Sequence, residues 1–185
     1  MAKSAFAIGL VLALTAVSLP ALAGGDDPIS EEARQHFTAG VTFLQDPDGA
    51  RYEEALREFQ AAYAITPSWK ILGNLGIAAM KLERDGEARD AFKRYLAEGG
   101  KSIDPDDRAQ MERDLQALET SVATVHLEVT PVGATIVDER QPVTGNVVVN
   151  RYGPVQGPLD LGVRPGHHRF VAKADGYADQ VWEVD

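Results

Sequence analysis

One stretch of the chain occurs twice. Glu54–Tyr63, EALREFQAAY, is matched by Glu87–Leu96, EARDAFKRYL. Ala55 and Ala88 stand 33 residues apart, and so do Phe59 and Phe92. Upstream, Gly40 and Gly76 stand 36 apart, but the first copy carries a longer turn, DPDGAR. Allowing that turn three extra residues brings all three spacings to 33. A period of this length marks a stack of supersecondary units, each too small to bury its apolar face alone. The apolar positions within each unit follow helical spacing, so each unit is expected to be a pair of antiparallel helices. Helices approach closely only where small residues sit at the crossing. Gly40 is therefore expected against Ala55, and Gly76 against Ala88, with Phe59 and Phe92 filling the wider space one turn on. Pro67 ends the second helix, because it lacks an N–H and pushes Thr66 out of the helical region.

These landmarks carry a resemblance. Gly40, Phe43, Tyr52, Ala55, Phe59, Ala62 and Pro67 in the first copy, and Leu72, Leu75, Gly76, Ala88 and Phe92 in the second, resemble the tetratricopeptide repeat (TPR). The second copy departs at Tyr95, where a small residue is usual, and at Gly99-Gly100, which replaces the terminal proline; the first lacks the usual tryptophan of helix A. A further helix follows in DPDDRAQMERDLQALETSV. Asp104 is its expected N-cap and Pro105 its first residue, with acids in the first turn. Its stripe of Met111, Leu115, Leu118 and Val122 lacks the repeat landmarks and reads as a capping helix over the second repeat. In the resembled family the first helices line a concave groove for a peptide or a partner helix. Counting six back from Gly40 and Gly76 gives Arg34 and Lys70; counting two back gives Thr38 and Asn74. The resemblance implies that these four bind a partner, with two cations and two hydrogen-bonding groups suited to an acidic peptide or a terminal carboxylate. The third repeat that would complete a carboxylate clamp is absent, and ordinary solvated polar residues are the plainer reading of the same positions.

From Thr124 the pattern changes to short alternating runs separated by Gly and Pro, which places a domain boundary near residues 120–125. Strands are expected near 124–130, 134–139, 145–150, 158–163, 167–173 and 179–184. The turns between them include Pro131-Val132-Gly133, Gly153-Pro154, Pro165-Gly166 and Asp175-Gly176. The rhythm suggests a small antiparallel sandwich. Pro131-Val132-Gly133-Ala134 and RPGHHRFVAKADGY resemble the PEGA domain, although the glutamate of the naming turn is missing and the segment QPVTGNVVVNRYGPVQG is longer than usual. The expected fold class is thus a multidomain α+β chain: TPR-like hairpins, two repeats plus a capping helix, then a small antiparallel β-sandwich. The divisions are 1–23 signal peptide, 24–30 linker, 31–123 TPR-like helical domain and 124–185 PEGA-like domain.

The opening MAKSAFAIGLVLALTAVSLPALA has Lys3, an apolar run from Ala5 to Leu19 and Ala21-Leu22-Ala23. This is the pattern of a secretory signal cut after Ala23. The run is short for a membrane span, and an uncleaved anchor is the alternative. No cysteine follows the cleavage site, so no lipid-modified N-terminus is expected. Export to the periplasm or outer cell envelope is the expected location. Loss of Lys3 takes the formal net charge from −10 to −11, which disfavours nucleic acid and anionic membrane surfaces. The lack of cysteine removes disulfides, thiol nucleophiles and thiolate metal sites.

No catalytic constellation, cofactor motif or metal set is legible. The histidines are His36, His126, His167 and His168, and the last two point to opposite faces of a strand. There is no HExxH, no GxSxG and no glycine-rich phosphate loop before a helix. Asp46–Gly49, DPDG, lacks the third acidic ligand and the distant glutamate of a calcium loop. The expected function is a non-enzymatic scaffold binding another envelope protein or peptide. Tyr52, Tyr63 and Trp69 are candidate anchors where exposed. The alternative is a module for cell-wall glycan or surface polysaccharide, for which Tyr152, Tyr177 and Trp182 would have to share a face. A hydrolase with an unrecognised site is the third reading.

Overall fold

The computed structural model describes residues 29–185; the expected signal peptide, 1–23, and linker residues 24–28 lie outside the described residues. Five helices come first: α1 (Glu31–Leu44), α2 (Tyr52–Ile65), α3 (Trp69–Lys81), α4 (Asp85–Gly99) and α5 (Pro105–Ser121), with a short 3-10 turn at Gly100–Ser102. Six strands follow: β1 (Ala123–Leu127), β2 (Thr135–Gln141), β3 (Val148–Tyr152), β4 (Leu159–Val163), β5 (His167–Lys173) and β6 (Gln180–Val184). The chain is an α+β molecule of two parts, with α1 packed on α2, α3 on α4, and α5 against α4.

Local chemistry accounts for the helix ends. Ser30 caps α1 by accepting from the Ala33 amide at 3.2 Å. Asp104 caps α5 by accepting from the Asp106 amide at 2.9 Å, with Pro105 in the first turn as the sequence predicts. The end of α3 is a Schellman motif: the Glu83 amide donates to Met80 O at 3.1 Å and the Arg84 amide to Ala79 O at 2.9 Å. The left-handed position of that motif is held by Glu83, at φ 58°, where glycine is usual.

The two hairpins interlock in the same way, with one difference from the sequence reading. A Cβ on Gly40 would lie 2.6 Å from the Phe59 ring, and one on Gly76 would lie 2.4 Å from the Phe92 ring. The glycines therefore make room for the phenyl rings rather than for Ala55 and Ala88, which are themselves fully buried. The hairpins differ from each other at Tyr95. In the first hairpin Phe37 packs on Phe59 at 5.6 Å between centroids while Ala62 is small and buried. In the second hairpin the equivalent of Phe37 is Gly73, and the space goes to Tyr95, whose ring would lie 3.1 Å from a Cβ on Gly73. Large and small residues have changed sides of the crossing.

In the β half, β3-β2-β5-β6 form one antiparallel sheet, and β1 pairs only with β4. Ile136, Phe170 and Ala172 on the inner face of the larger sheet share a core with Val125, Leu161 and Val163 of the smaller one. Third-strand pairing begins at Val148 rather than near 145, because Gly145 adopts φ 104° in the preceding turn. No helix among the described residues is long and apolar enough to cross a membrane.

Candidate functional site

Arg34 and Thr38 lie one turn apart on α1, and Lys70 and Asn74 one turn apart on α3; the two helices touch. Arg34 and Thr38 are exposed, Lys70 and Asn74 half-buried. Arg34 donates to Glu31 at 3.1 Å, and the Lys70 ammonium sits 5.5 Å from the Trp69 ring centroid. No side-chain hydrogen bond joins any two of the four. The helix α3, WKILGNLGIAAMK, carries Lys70 and Lys81 and no acid at all, in a chain of net charge −10.

The three aromatics of the β half do not form one exposed row. Tyr152 lies under the Arg84 guanidinium, 4.7 Å from ring centroid to carbon, and burial pushes its phenol well above the ordinary value. Trp182 stacks on Phe170 at 5.4 Å, and Tyr177 lies outside the strands, exposed, in the β5–β6 connection. The outer face of the larger sheet bears an open trough of about 1110 Å³. Val137, Val171 and Val181 cross it as one row. Beside that row Arg169 pairs with Glu139 at 2.7 Å and Glu183 at 3.8 Å, while Arg151, level with Val137, has no acidic partner among the described residues.

Sequence reading missed the most elaborate polar feature, a clasp in which the sheet grips the α3–α4 turn. Arg164, just after β4, forks onto Asp85 with Nε to Oδ2 at 2.9 Å and Nη2 to Oδ1 at 3.0 Å, while Nη1 donates to Glu83 Oε1 at 2.9 Å. Its bond to Asp85 raises the Arg164 pKa further above the ordinary value. Arg140 donates to the other oxygen of Glu83, and Asn150 Nδ2 donates to Leu82 O at 3.1 Å. Asp85 is wholly buried. Behind the clasp, buried His168 is held at both ring nitrogens. Nε2 donates to Arg164 O at 2.7 Å, and Nδ1 is hydrogen-bonded to Asp138 Oδ1 at 2.8 Å. Burial raises the Asp138 pKa, against the opposing pull of His168. The backbones meet beside this cluster: a Cβ on Gly86 would lie 2.6 Å from Gly162 Cα. The sequence carries no signal for the clasp, since the left-handed backbone at Glu83 is not readable from ERDGEARD.

Next to the clasp a cleft of about 590 Å³ opens between the two halves of the molecule. Leu72, Leu75, Ala91, Leu159 and Leu161 give it apolar walls, and Arg84, Arg89 and Arg94 alternate with Glu87, Asp90 and Asp160 around it. Neither trough nor cleft is lined by Arg34, Thr38, Lys70 or Asn74. Among the described residues no group of three metal-ligating side chains converges. No protein-family model matches the chain, and no curated protein matches it.

Proposed function

We propose that this protein is an exported, non-enzymatic scaffold that binds a protein or peptide through the α1/α3 face. In this reading α1–α2 and α3–α4 are two TPR-like repeats, α5 caps them, and the two sheets are a PEGA-like sandwich that fixes the orientation of the helical part. The observation that carries the reading is the charge of α3. A helix with two lysines and no acid is a cationic element in an acidic chain, and it touches α1, where Arg34 is paired with Glu31. Such an element favours an acidic segment or a chain-terminal carboxylate, with Thr38 and Asn74 available to bond its backbone.

The test is a pull-down from envelope extract with the mature protein and with Arg34→Glu/Lys70→Glu, after circular dichroism has shown that both fold alike. A protein retained by the parent and lost from the variant supports the reading. Equal retention by both moves the site elsewhere. If purified cell wall or glycan is held equally by parent and variant, the β half becomes the binding module.

A further inference from the structure

Four strands have a neighbour on one side only: β1 and β4 in the smaller sheet, β3 and β6 at the two ends of the larger one. An open edge invites pairing with another chain, and proteins blunt it with charge, proline, a bulge or a cover. Three of these strands are accounted for. β4 packs against α4; β3 carries the exposed Arg151 and ties Asn150 to Leu82 O; β1 exposes Thr124 and His126 and keeps Val125 and Leu127 against the core. The fourth, β6, reads QVWEV, with no lysine, arginine, proline or glycine, and follows β5 residue for residue without a bulge. Side chains alternate across a strand. Val181 is 50% exposed on the outer face, and Trp182 is 46% exposed on the inner face, where it stacks on Phe170. Both faces of this edge are therefore apolar and open.

We propose that β6 is the docking edge for a second copy of this chain, the two strands pairing antiparallel about a two-fold axis beside Trp182. The strand is complementary to itself in that register. Trp182 meets its own counterpart and extends the Phe170–Trp182 stack across the axis, a favourable aromatic pair. Gln180 lies opposite Val184, and Val181 opposite Glu183, so no like charges face each other within the ladder. Moving the axis one residue toward Glu183 sets that carboxylate against itself; moving it one residue the other way sets Asp179 against Glu183. With the axis at Trp182 the acids that come level are Asp179 and Asp185, beyond the strand ends. Each is already paired within its own chain, with Lys173 at 3.2 Å and His167 at 3.0 Å. Such a dimer closes on itself, because it uses up the one edge that forms it. A ladder this short keeps the buried area at the low end of specific interfaces, below about 1,200 Å², so association is weak and concentration-dependent.

The experiment is sedimentation equilibrium on the mature chain at physiological salt, from about 10 µM to about 1 mM. A monomer–dimer equilibrium is expected, with tryptophan emission moving to shorter wavelength as the dimer forms. Val181→Glu sets a carboxylate opposite Glu183 at both symmetry-related positions and should weaken association about tenfold or more. Val181→Lys removes the same valine but meets Glu183 with an ammonium group, and should associate about tenfold or more tightly than Val181→Glu. Val143→Lys adds the same charge in the β2–β3 loop, at a fully exposed residue outside the strand, and should dimerise as the parent does. Arg34→Glu/Lys70→Glu should also match the parent, which separates this interface from the α1/α3 face. Should Val181→Glu fail to fold, Trp182→Lys brings two ammonium groups together at the axis, and it must also weaken association. A parent that stays monomeric throughout, species that grow beyond the dimer, equal association of Val181→Glu and Val181→Lys, or parent affinity in Val181→Glu or Trp182→Lys overturns the proposal.

Discussion

Glu83 pits backbone against side chain. A left-handed residue other than glycine carries a cost of about 1–2 kcal/mol, so Glu83→Gly alone should relieve strain at φ 58°. The carboxylate, however, accepts from both Arg164 and Arg140, and Arg140 is buried. Removing it leaves two guanidinium groups short of an acceptor, and each charge-assisted bond is worth about 1.5–3 kcal/mol. Loss of the clasp outweighs relief of the backbone, and Glu83→Gly is expected to destabilise by about 2 kcal/mol in urea denaturation. A stabilised variant would mean that the contacts with the sheet contribute less than a turn glycine does. Glu83→Gln, which keeps an acceptor but removes the charge, should fall between parent and glycine.

At the scale of elements, the exchange of large and small residues between the hairpins makes a quantitative claim. Tyr95→Ala should cost about 3–5 kcal/mol, as deletion of a buried aromatic ring does. Gly73→Phe should overpack against Tyr95 by about 1–3 kcal/mol. The double variant recreates the Phe37/Ala62 arrangement of the first hairpin, so the two costs should partly cancel, with a coupling of about 1 kcal/mol or more. Strict additivity in thermal melts would show that the hairpins are not built on one plan. A second element-level prediction concerns the β1–β4 pair, where His126 and Asp160 face each other directly. The hydrogen bond to Asp160 raises the His126 pKa. The folded state therefore holds that proton more tightly than the unfolded chain. The contribution is complete below the ordinary histidine value and is lost as pH rises through the folded one. Asp160→Asn should return the His126 ring protons to an ordinary NMR titration and reduce the loss of melting temperature between pH 5.5 and pH 8.5. An unchanged titration would place the cause of the shift elsewhere. The repeat, the Asp104 cap and the succession of strands were legible in sequence because each is written in neighbouring residues. The glycine partners were misassigned, since spacing says where a small residue lies but not which side chain enters its space. The clasp was illegible for a deeper reason: Arg164 meets Asp85 and Glu83 across 79 and 81 residues of chain. In ERDGEARD those acids look like ordinary solvated helix-start residues. Placement of Arg34, Thr38, Lys70 and Asn74 on two touching helices followed from the period, whereas the seat of the Arg84 guanidinium over Tyr152 depends on a fold that the period does not describe.

For the whole molecule, the consequence of the clasp is that helices and sheets should unfold together. The two tryptophans allow this to be watched separately, because Trp69 packs on Tyr95 in the helical part and Trp182 on Phe170 in the sheet. Variants retaining one tryptophan each, Trp182→Phe and Trp69→Phe, report the two halves. With the clasp intact, each variant should show one fluorescence midpoint coincident with its own far-ultraviolet circular dichroism midpoint, the mark of a single cooperative unit. Arg164→Ala removes the fork from Asp85, a carboxylate with no exposed surface, and also the Arg164–Glu83 bond. Breaking a buried pair from one side costs about 3–5 kcal/mol, because the remaining charge is stranded. That loss falls on the junction, not on either core. In the Arg164→Ala background the two tryptophan midpoints should therefore separate, with one fluorescence curve leaving the dichroism curve. Asp85→Asn/Arg164→Gln, which replaces the ion pair with neutral groups able to bond, should bring them closer together again. Coincident and unshifted midpoints in Arg164→Ala would show that the Gly86–Gly162 backbone contact couples the halves without the ion pair. Separate midpoints in the parent would show that the helical and β parts fold independently, and a scaffold of fixed geometry would lose its physical basis.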